Sequence, residues 1–275
     1  MNNIELKKNQ FIEYCLKKDK SFPNFKLPKI TIGNELEAVF IEFRILPYTI
    51  FVIKNAILKL GYKWSHTIVC GNNNYEFYNN FKQEYDLNIK IVRLNINNIS
   101  REDYSIMLLE SKFYNNFVGE HLLFYQEDSL IFNSFDNKFL IYDFIGAPYF
   151  NKDVGNGGLS LRKKATIIEI CKEYFDPYRE FMEKNVRLLN EKKKGKKDFY
   201  KDKNNLKYYF IEQSILEDFQ ICNRIKYHHM GKLADFDTAR EFSIEKYYHP
   251  NAFGGHQFWY CIKDIKKFLD EKLGY

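Results

Sequence analysis

The stretch "EAVFIEFRILPYTIFVIKNAILKLGYKWSHTIVCG" (Glu37–Gly71) holds two short apolar runs with a longer segment of different period between them. "EAVFIEFR" (Glu37–Arg44) reads as a buried strand. Pro47 follows, and proline suits the first turn of a helix, where its missing N–H costs nothing. In "YTIFVIKNAILKLGY" the apolar residues recur at helical spacing and stop near Gly61. "SHTIVCG" (Ser65–Gly71) is a second apolar strand, running into Asn72 and its neighbours. A strand, a helix and a strand in this order form a crossover unit with parallel strands.

The alternation continues outward. "YEFYNNFKQEY" predicts a helix and "NIKIVRLN" (Asn88–Asn95) a third strand. Ser100 opens "SREDYSIMLLESKFY" with a capping signal and helical periodicity. "EHLLFYQEDS" (Glu120–Ser129) reads as a fourth strand. Residues 5–19 fit a short amphipathic helix that "FPNFKLP" (Phe22–Pro28) ends, so residues 1–36 read as an N-terminal extension. With no repeat and no linker, residues 37–275 are expected to form a single domain. Its class is α/β, an open Rossmann-type sheet flanked by helices. In such sheets ligands bind beyond the carboxyl ends of the strands. Arg44, Gly71, Asn72 and Asp128 stand at or just past such ends and are expected near one crevice.

The second half is less regular. "YDFIGAPYF" (Tyr142–Phe150) and "GLSLR" read as strands, and "KKATIIEICKEYF" (Lys163–Phe175) and "EQSILEDFQICNRI" (Glu212–Ile225) as helices. "FGGHQFWYC" (Phe253–Cys261) is a glycine-broken aromatic segment, and "IKDIKKFLDEKL" a terminal amphipathic helix. "VGNGGLSLR" (Val154–Arg162) contains Gly155, Gly157 and Gly158, three of only 13 glycines in the chain. A tight turn needs one or two. Either the backbone must approach something here, or the segment is a plain hairpin between sheet edges.

Composition sets limits on function. Net charge is +6, from 42 Lys+Arg against 36 Asp+Glu, and much of the excess lies in "EKKKGKKDFYKDKNNLK" (Glu191–Lys207). A run of this kind reads as a mobile basic loop. Charge confined to one loop, rather than interleaved with aromatics along a strand face, argues against a nucleic-acid partner. Cys15, Cys70, Cys171, Cys222 and Cys261 are too scattered for a zinc knuckle or redox pair. No run of about 18 apolar residues offers a membrane span, and the N-terminus lacks a signal-peptide core. These absences point to a cytoplasmic protein. The oligomeric state is not encoded in any feature of the sequence.

Several polar residues could carry chemistry. Gln126, Glu127, Asp128 and Ser129 end an apolar strand; carboxylates at such an end either hold a hard cation or merely solvate the strand. Glu217 and Asp218 either serve a crevice as a general base or form an exposed helix face. His256, among glycines and aromatics, can ligate a metal, bind phosphate when protonated, or rest buried on a backbone partner. His228 and His229 read as structural or surface residues. There is no P-loop, and the glycine spacing at 155–158 does not fit a dinucleotide fingerprint.

Taken in order, "EFR…P", "HTIVCGNNN", "GEHLLFYQEDS", "YDFIGAPYF", "VGNGGLSLRKK", "LEDFQICNRI" and "FGGHQFW" cover roughly residues 37–260. In this order the chain resembles a glycosyltransferase-like family of GT-A type fold, found in giant DNA viruses, fungi and bacteria and long known as a domain of unknown function. The resemblance implies an open mixed sheet, a nucleotide-sugar donor, such as a UDP-sugar, and sugar transfer to a hydroxyl of a glycan, protein or lipid-linked acceptor. It implies an Asp-x-Asp at Gln126–Asp128, where Gln126 replaces the first Asp, with Asp128 and His256 holding Mn²⁺ or Mg²⁺. It makes Asp218, with Glu217 second, the base of an inverting displacement. Arg44, Gly71, Asn72, Gln126, Glu127, Asp128, Ser129, Asn156, Gly157, Gly158 and Arg162 would bind the donor. Residues 191–207 would act as a lid. For a viral member the location would be host cytoplasm and then the virion. A catalytically silent sugar- or glycan-binding module on the same fold is the alternative, favoured by Gln126.

Overall fold

One mixed sheet is made of six strands, β1 (Leu36–Ile41), β2 (Ser65–Cys70), β3 (Lys90–Arg93), β4 (His121–Tyr125), β6 (Phe144–Pro148) and β7 (Val154–Lys163). Their order is β3-β2-β1-β4-β7-β6. β1 pairs in parallel with β2 and β4, and β2 with β3, while β7 runs antiparallel to β4 and β6. The computed structural model describes residues 3–21, 27–30, 33–180, 182–184 and 216–274. The basic segment 191–207 expected as a loop, and the start of the helix expected from Glu212, lie outside them.

The parallel strands are near-continuous apolar runs because both faces are buried. Ala38 and Phe40 of β1 face one core, with Ile68, Leu123 and Leu161; Val39 and Ile41 face the other, with Val69, Leu122 and Phe124. Helices α1 (Asn3–Ser21), α2 (Thr49–Leu60), α3 (Tyr75–Glu84) and α8 (Ile265–Leu273) cover the first face. Helices α4 (Arg101–Leu108), α5 (Lys164–Tyr174) and α6 (Glu217–His228) cover the second. The expected α/β domain, a mixed sheet between helical layers, is the one observed. α1 packs on α2 and α8, and its Phe11 meets Phe258 and Trp259. A small second sheet, β5-β9-β8, joins β5 (Ser129–Ile131), β8 (Ser243–Ile244) and β9 (Gly254–His256); α7 (Phe236–Phe242) precedes it.

Local signals explain the helix ends. α2 stops where Gly61 takes φ +71° and its N–H returns to the Ile57 carbonyl at 3.0 Å. Ser100 caps α4 through a bond from the Asp103 N–H.

Three sequence expectations are corrected. The strand read as Glu120–Ser129 ends at Tyr125; Gln126–Asp128 turn, and Ser129 begins β5 in the other sheet. The three glycines do not form a turn before a strand but lie inside β7, where the pairing with β6 is irregular. Glu217 and Asp218 lie in a helix as expected, in its first turn, and both are buried, so the exposed-face alternative falls.

Candidate functional site

The strand order places a topological switch between β1 and β4. From β1 the chain winds outward to β2 and β3, then returns through α4 to β4 on the opposite side. The crossovers diverge there, leaving a crevice at the carboxyl ends. A cavity of about 760 Å³ occupies it, lined by Glu42–Arg44, Gln126, Glu127, Asn156–Gly158, Glu217, Asp218, His256, Gln257 and the first turn of α4.

Arg44 joins the two strand ends. Its Nε and Nη2 donate to the Glu42 carboxylate at 2.7 and 2.6 Å, and Nη2 also reaches Glu127 Oε1 at 2.7 Å. Glu42 further accepts the N–H groups of Phe43 and Arg44. Burial, then the neighbouring Asp128 and Glu42, raise the Glu127 pKa against the pull of Arg44. Gly71 and Asn72 end β2 but do not line the cavity. Asn72 bonds to Asn95 and Arg93, while Asn74 ties β2 to β1 through Gly71 N–H and the carbonyls of Glu42 and Arg44.

A second cluster centres on His256. Its Nδ1 lies 3.1 Å from Glu245 Oε2, and its Nε2 lies 3.2 Å from Asp128 Oδ1. The Nε2 and Oδ1 atoms are buried and meet as an ion pair without hydrogen-bond geometry. Asp128 Oδ2 accepts from Gln257 Nε2 at 2.8 Å. Burial opposes a charge on His256, but Asp128 and Glu245 outweigh it and hold the pKa up to about 10. His256 therefore rests on carboxylates, not on a backbone partner. Ser129 hydroxyl donates to the Gly158 carbonyl and fixes the turn.

The third cluster is at the start of α6. Glu217 Oε1 accepts from Arg162 Nη2 at 3.0 Å. Arg162 is fully buried, with its guanidinium over the Phe124 and Phe144 rings. Burial first, then Asp218, raise the Glu217 pKa, against Arg162. Asp218 Oδ2 accepts the Gly157 N–H at 2.8 Å, and Oδ1 accepts from Phe219 N–H at 2.7 Å. Both acids sit at the positive end of the helix dipole. Tyr149, whose pKa burial and Asp218 raise, lies beside them, its hydroxyl on the Gly155 carbonyl.

The glycines of β7 now have reasons. A Cβ at Gly157 would stand 2.9 Å from Glu217 Oε1, 3.0 Å from Arg162 Nη2 and 3.0 Å from Asp218 Cβ. A Cβ at Gly158 would run into the His256 ring. Gly155, at φ +117°, lies against Cys222 of α6. One strand thus brings the α6 acids and the β9 histidine to a common surface. Asn156 Oδ1 holds the Gly158 N–H.

Glu42, Glu245, Gln257, Tyr104, Ser105 and Arg101 were not singled out by the sequence. Glu42 had a usable signal, an acid at the carboxyl end of a buried strand, the same criterion that picks out Asp128. His228 and His229 are exposed at the end of α6, as expected. Among the described residues no cluster of three or more His, Cys, Asp or Glu could hold a metal, and no helix is long and apolar enough to cross a membrane.

Residues 88–256, more than half of the chain, match the family described as "Protein of unknown function (DUF5672)", and the chain belongs to that family. No curated protein matches it in sequence. Among solved structures it is similar to the apo form of the glycosyltransferase GlyE of Streptococcus pneumoniae TIGR4, at 10% identity and a TM-score of 0.45, over 87% of this chain and 63% of that one. A second GlyE structure gives 10% identity and 0.40, over 88% and 64%. The mannosyltransferase PcManGT from Pyrobaculum calidifontis, in complex with GDP-Man and Mn²⁺, gives 10% and 0.37, over 60% and 55%. The chain spans less than two thirds of the length of each.

Proposed function

We propose that this protein is a glycosyltransferase that moves a sugar from a nucleotide-sugar donor to a hydroxyl acceptor with inversion. The observation that carries the reading is the meeting, on Gly157 and Gly158, of an acid pair at a helix N-terminus and an Asp–His pair at the switch-point crevice. The motif resemblance assigns the same residues the same roles.

A divalent cation fits the Asp–His pair. Asp128 Oδ1 and His256 Nε2 are buried and 3.2 Å apart as an ion pair, and a divalent cation would take the place of the ring proton between them. Glu245 holds the other ring nitrogen, as a carboxylate does behind a metal-bound histidine. Two protein ligands suffice where a substrate diphosphate and water complete the shell, as is usual for Mg²⁺ sites. The wall charge also asks for a cation. Among the lining residues Glu42, Glu127, Glu217 and Asp218 outnumber Arg44, Arg101 and His256. A donor diphosphate would add negative charge to that surplus. Bound at Asp128 and His256, Mn²⁺ or Mg²⁺ would stabilise the departing diphosphate.

Asp218 takes the proton of the acceptor hydroxyl on a carboxylate oxygen. The two backbone N–H donors fix its orientation without using all its lone pairs. Glu217 is the counter-ion of buried Arg162, which leaves Asp218 the freer base. Arg44, Gln126 and Asn156 border the space left for the donor, and Gly157 and Gly158 admit the acids and the histidine beside it.

The test is thermal unfolding against UDP- and GDP-sugars with and without Mn²⁺, on wild type and Asp128→Ala. A ligand at 100 times its dissociation constant stabilises by about 2.7 kcal/mol. A Mn²⁺-dependent shift with one nucleotide sugar, absent in Asp128→Ala, is expected. Gln126 in place of an acid favours a silent glycan-binding module; shifts with free glycans and none with any nucleotide sugar would establish that reading instead.

A further inference from the structure

We propose that Ser160 and Arg162 are positioning residues for Asp218, closing with Gly157 and Glu217 a hydrogen-bonded circuit that holds the first turn of α6 on β7; this rests on the transferase reading above.

The circuit starts from an irregularity in the sheet. β6 pairs Gly146 with Ser160 and Ala147 with Asn156, so residues 157–159 of β7 have no register partner on β6. A buried backbone group outside the ladder must find another partner. The Gly157 N–H finds Asp218 Oδ2 at 2.8 Å, and its carbonyl accepts from the Ser160 hydroxyl at 3.2 Å. Ser160 Oγ in turn accepts from Arg162 Nε at 3.0 Å, and Arg162 Nη2 donates to Glu217 Oε1 at 3.0 Å. Glu217 is the chain neighbour of Asp218, so the path returns to its origin. Two points on one strand thereby fix two successive side chains of the helix. Bulges beside reaction spaces re-aim side chains in this way.

Stability does not account for Arg162. Its guanidinium lies 4.4 Å from the Phe124 centroid and 5.1 Å from that of Phe144, and its Nη1 is buried without a hydrogen-bond partner. Apolar residues of similar volume suit such a place as well or better, because a buried ion pair repays its desolvation poorly. Nor does Arg162 meet the donor. It does not line the cavity, whereas Gly157, Glu217 and Asp218 do. The resemblance gives Arg162 to the donor; its burial gives it to the neighbours of Asp218 instead. What the circuit supplies is orientation. The Gly157 N–H aims the carboxylate, and a misplacement of about 1 Å at a reacting group costs about 10²-fold in rate.

The experiment uses the full chain as wild type, Ser160→Ala, Arg162→Lys and the double variant. Lysine keeps the charge beside Glu217 but lacks the planar fork that also reaches Ser160. Ser65→Ala is the control, removing a buried hydroxyl from the Gly33 carbonyl at the start of β2. Asn156–Gly157 is the one Asn–Gly step in the sequence, so carbonyl-labelled asparagine with nitrogen-labelled glycine singles out the Gly157 amide in NMR, and its hydrogen exchange is followed. Scanning fluorimetry reads the fold and the binding of UDP-glucose, UDP-galactose, UDP-N-acetylglucosamine and GDP-mannose with Mn²⁺. Release of UDP or GDP from these donors reads kcat and KM. The Gly157 amide is expected to exchange about tenfold faster in each single variant, with kcat lower by about the same factor and donor KM unchanged, the worth of one buried hydrogen bond. The double variant should fall no further than the lower single one, since both changes break one link. Ser65→Ala should alter neither reading. An amide as protected in the variants as in the wild type, a loosened amide with unchanged kcat, or a raised KM at constant kcat overturns the positioning role and leaves the transferase reading standing. A wild type that neither binds nor cleaves any of the donors overturns the transferase reading, and the positioning role with it.

Discussion

Alanine at position 158 separates close packing from backbone conformation. Gly158 has no positive φ, so alanine suits its backbone. A Gly→Ala change at a compatible position ordinarily stabilises by about 0.4–1 kcal/mol, because the unfolded chain loses freedom. Here the added methyl meets Cδ2, Cγ and Nδ1 of His256, the side of a ring held between Asp128 and Glu245. Forcing a methyl into such packing costs about 1–3 kcal/mol. The net loss is up to about 2.6 kcal/mol, which for a domain of this size lowers the melting temperature by up to about 10 °C. Gly33→Ala is the control, since a Cβ there meets nothing within 4 Å. Scanning fluorimetry reads stability, and electron paramagnetic resonance of free Mn²⁺ reads the metal site in the same samples. Gly158→Ala should melt below the wild type and bind Mn²⁺ more weakly, while Gly33→Ala does neither. A Gly158→Ala protein that melts and binds like the control would refute the claim that strand and ring fix one another.

Four further expectations can be checked alongside it. Asp218→Asn should lower kcat by about 10²- to 10⁴-fold in a transfer assay while the fold persists, the range for a lost general base. Glu217→Gln strands the charge of buried Arg162 and should cost about 3–5 kcal/mol in urea unfolding; a near-neutral result would move Arg162 out of that pair. Asn74→Ala removes two buried hydrogen bonds and a part-buried one between the ends of β1 and β2 and should cost about 2–4 kcal/mol by the same measurement. His66 is neutral in the fold, where burial holds its pKa down to about 3 against the ordinary 6.5. Between those values the unfolded chain binds the extra proton, so stability present above pH 6.5 is lost as pH falls, by about 1.4 kcal/mol per unit for this group. His66→Phe should flatten the wild-type slope between pH 6 and 4; an unchanged slope would show that other groups set the acid limit.

The parallel half of the sheet was legible because its strands and helices differ in period and carry their own punctuation, such as Gly61 and Ser100. Phe124 and Tyr125 could be read as strand, but nothing in "YQEDSL" announces that the chain leaves one sheet and enters another within three residues. Pairing with β9 from the far end of the chain decides that. The glycines of β7 signal close approach, but nothing in the sequence names the approaching groups. Gly157 meets side chains from α6, and Gly158 a ring from β9. Asp128, Asp218 and His256 could be proposed by type and order. Glu245 could not, because its place behind His256 follows from the pairing of β8 with β9 and from no local pattern.

The glycine strand also bears on the order in which a ribosome delivers the parts. β1 to β4, with both strand ends that Arg44 joins, precede β7 in the chain, whereas α6, Glu245 and His256 all follow it. A nascent chain released through Lys163 can pair its six-stranded sheet while Gly157 and Gly158 still lack the groups they fit. The sheet would then exist before the chemistry, with a bare strip of backbone on its next-to-edge strand until the last quarter of the protein arrives. Chains stalled in that interval would present the strip to chaperones, and full-length chains would not.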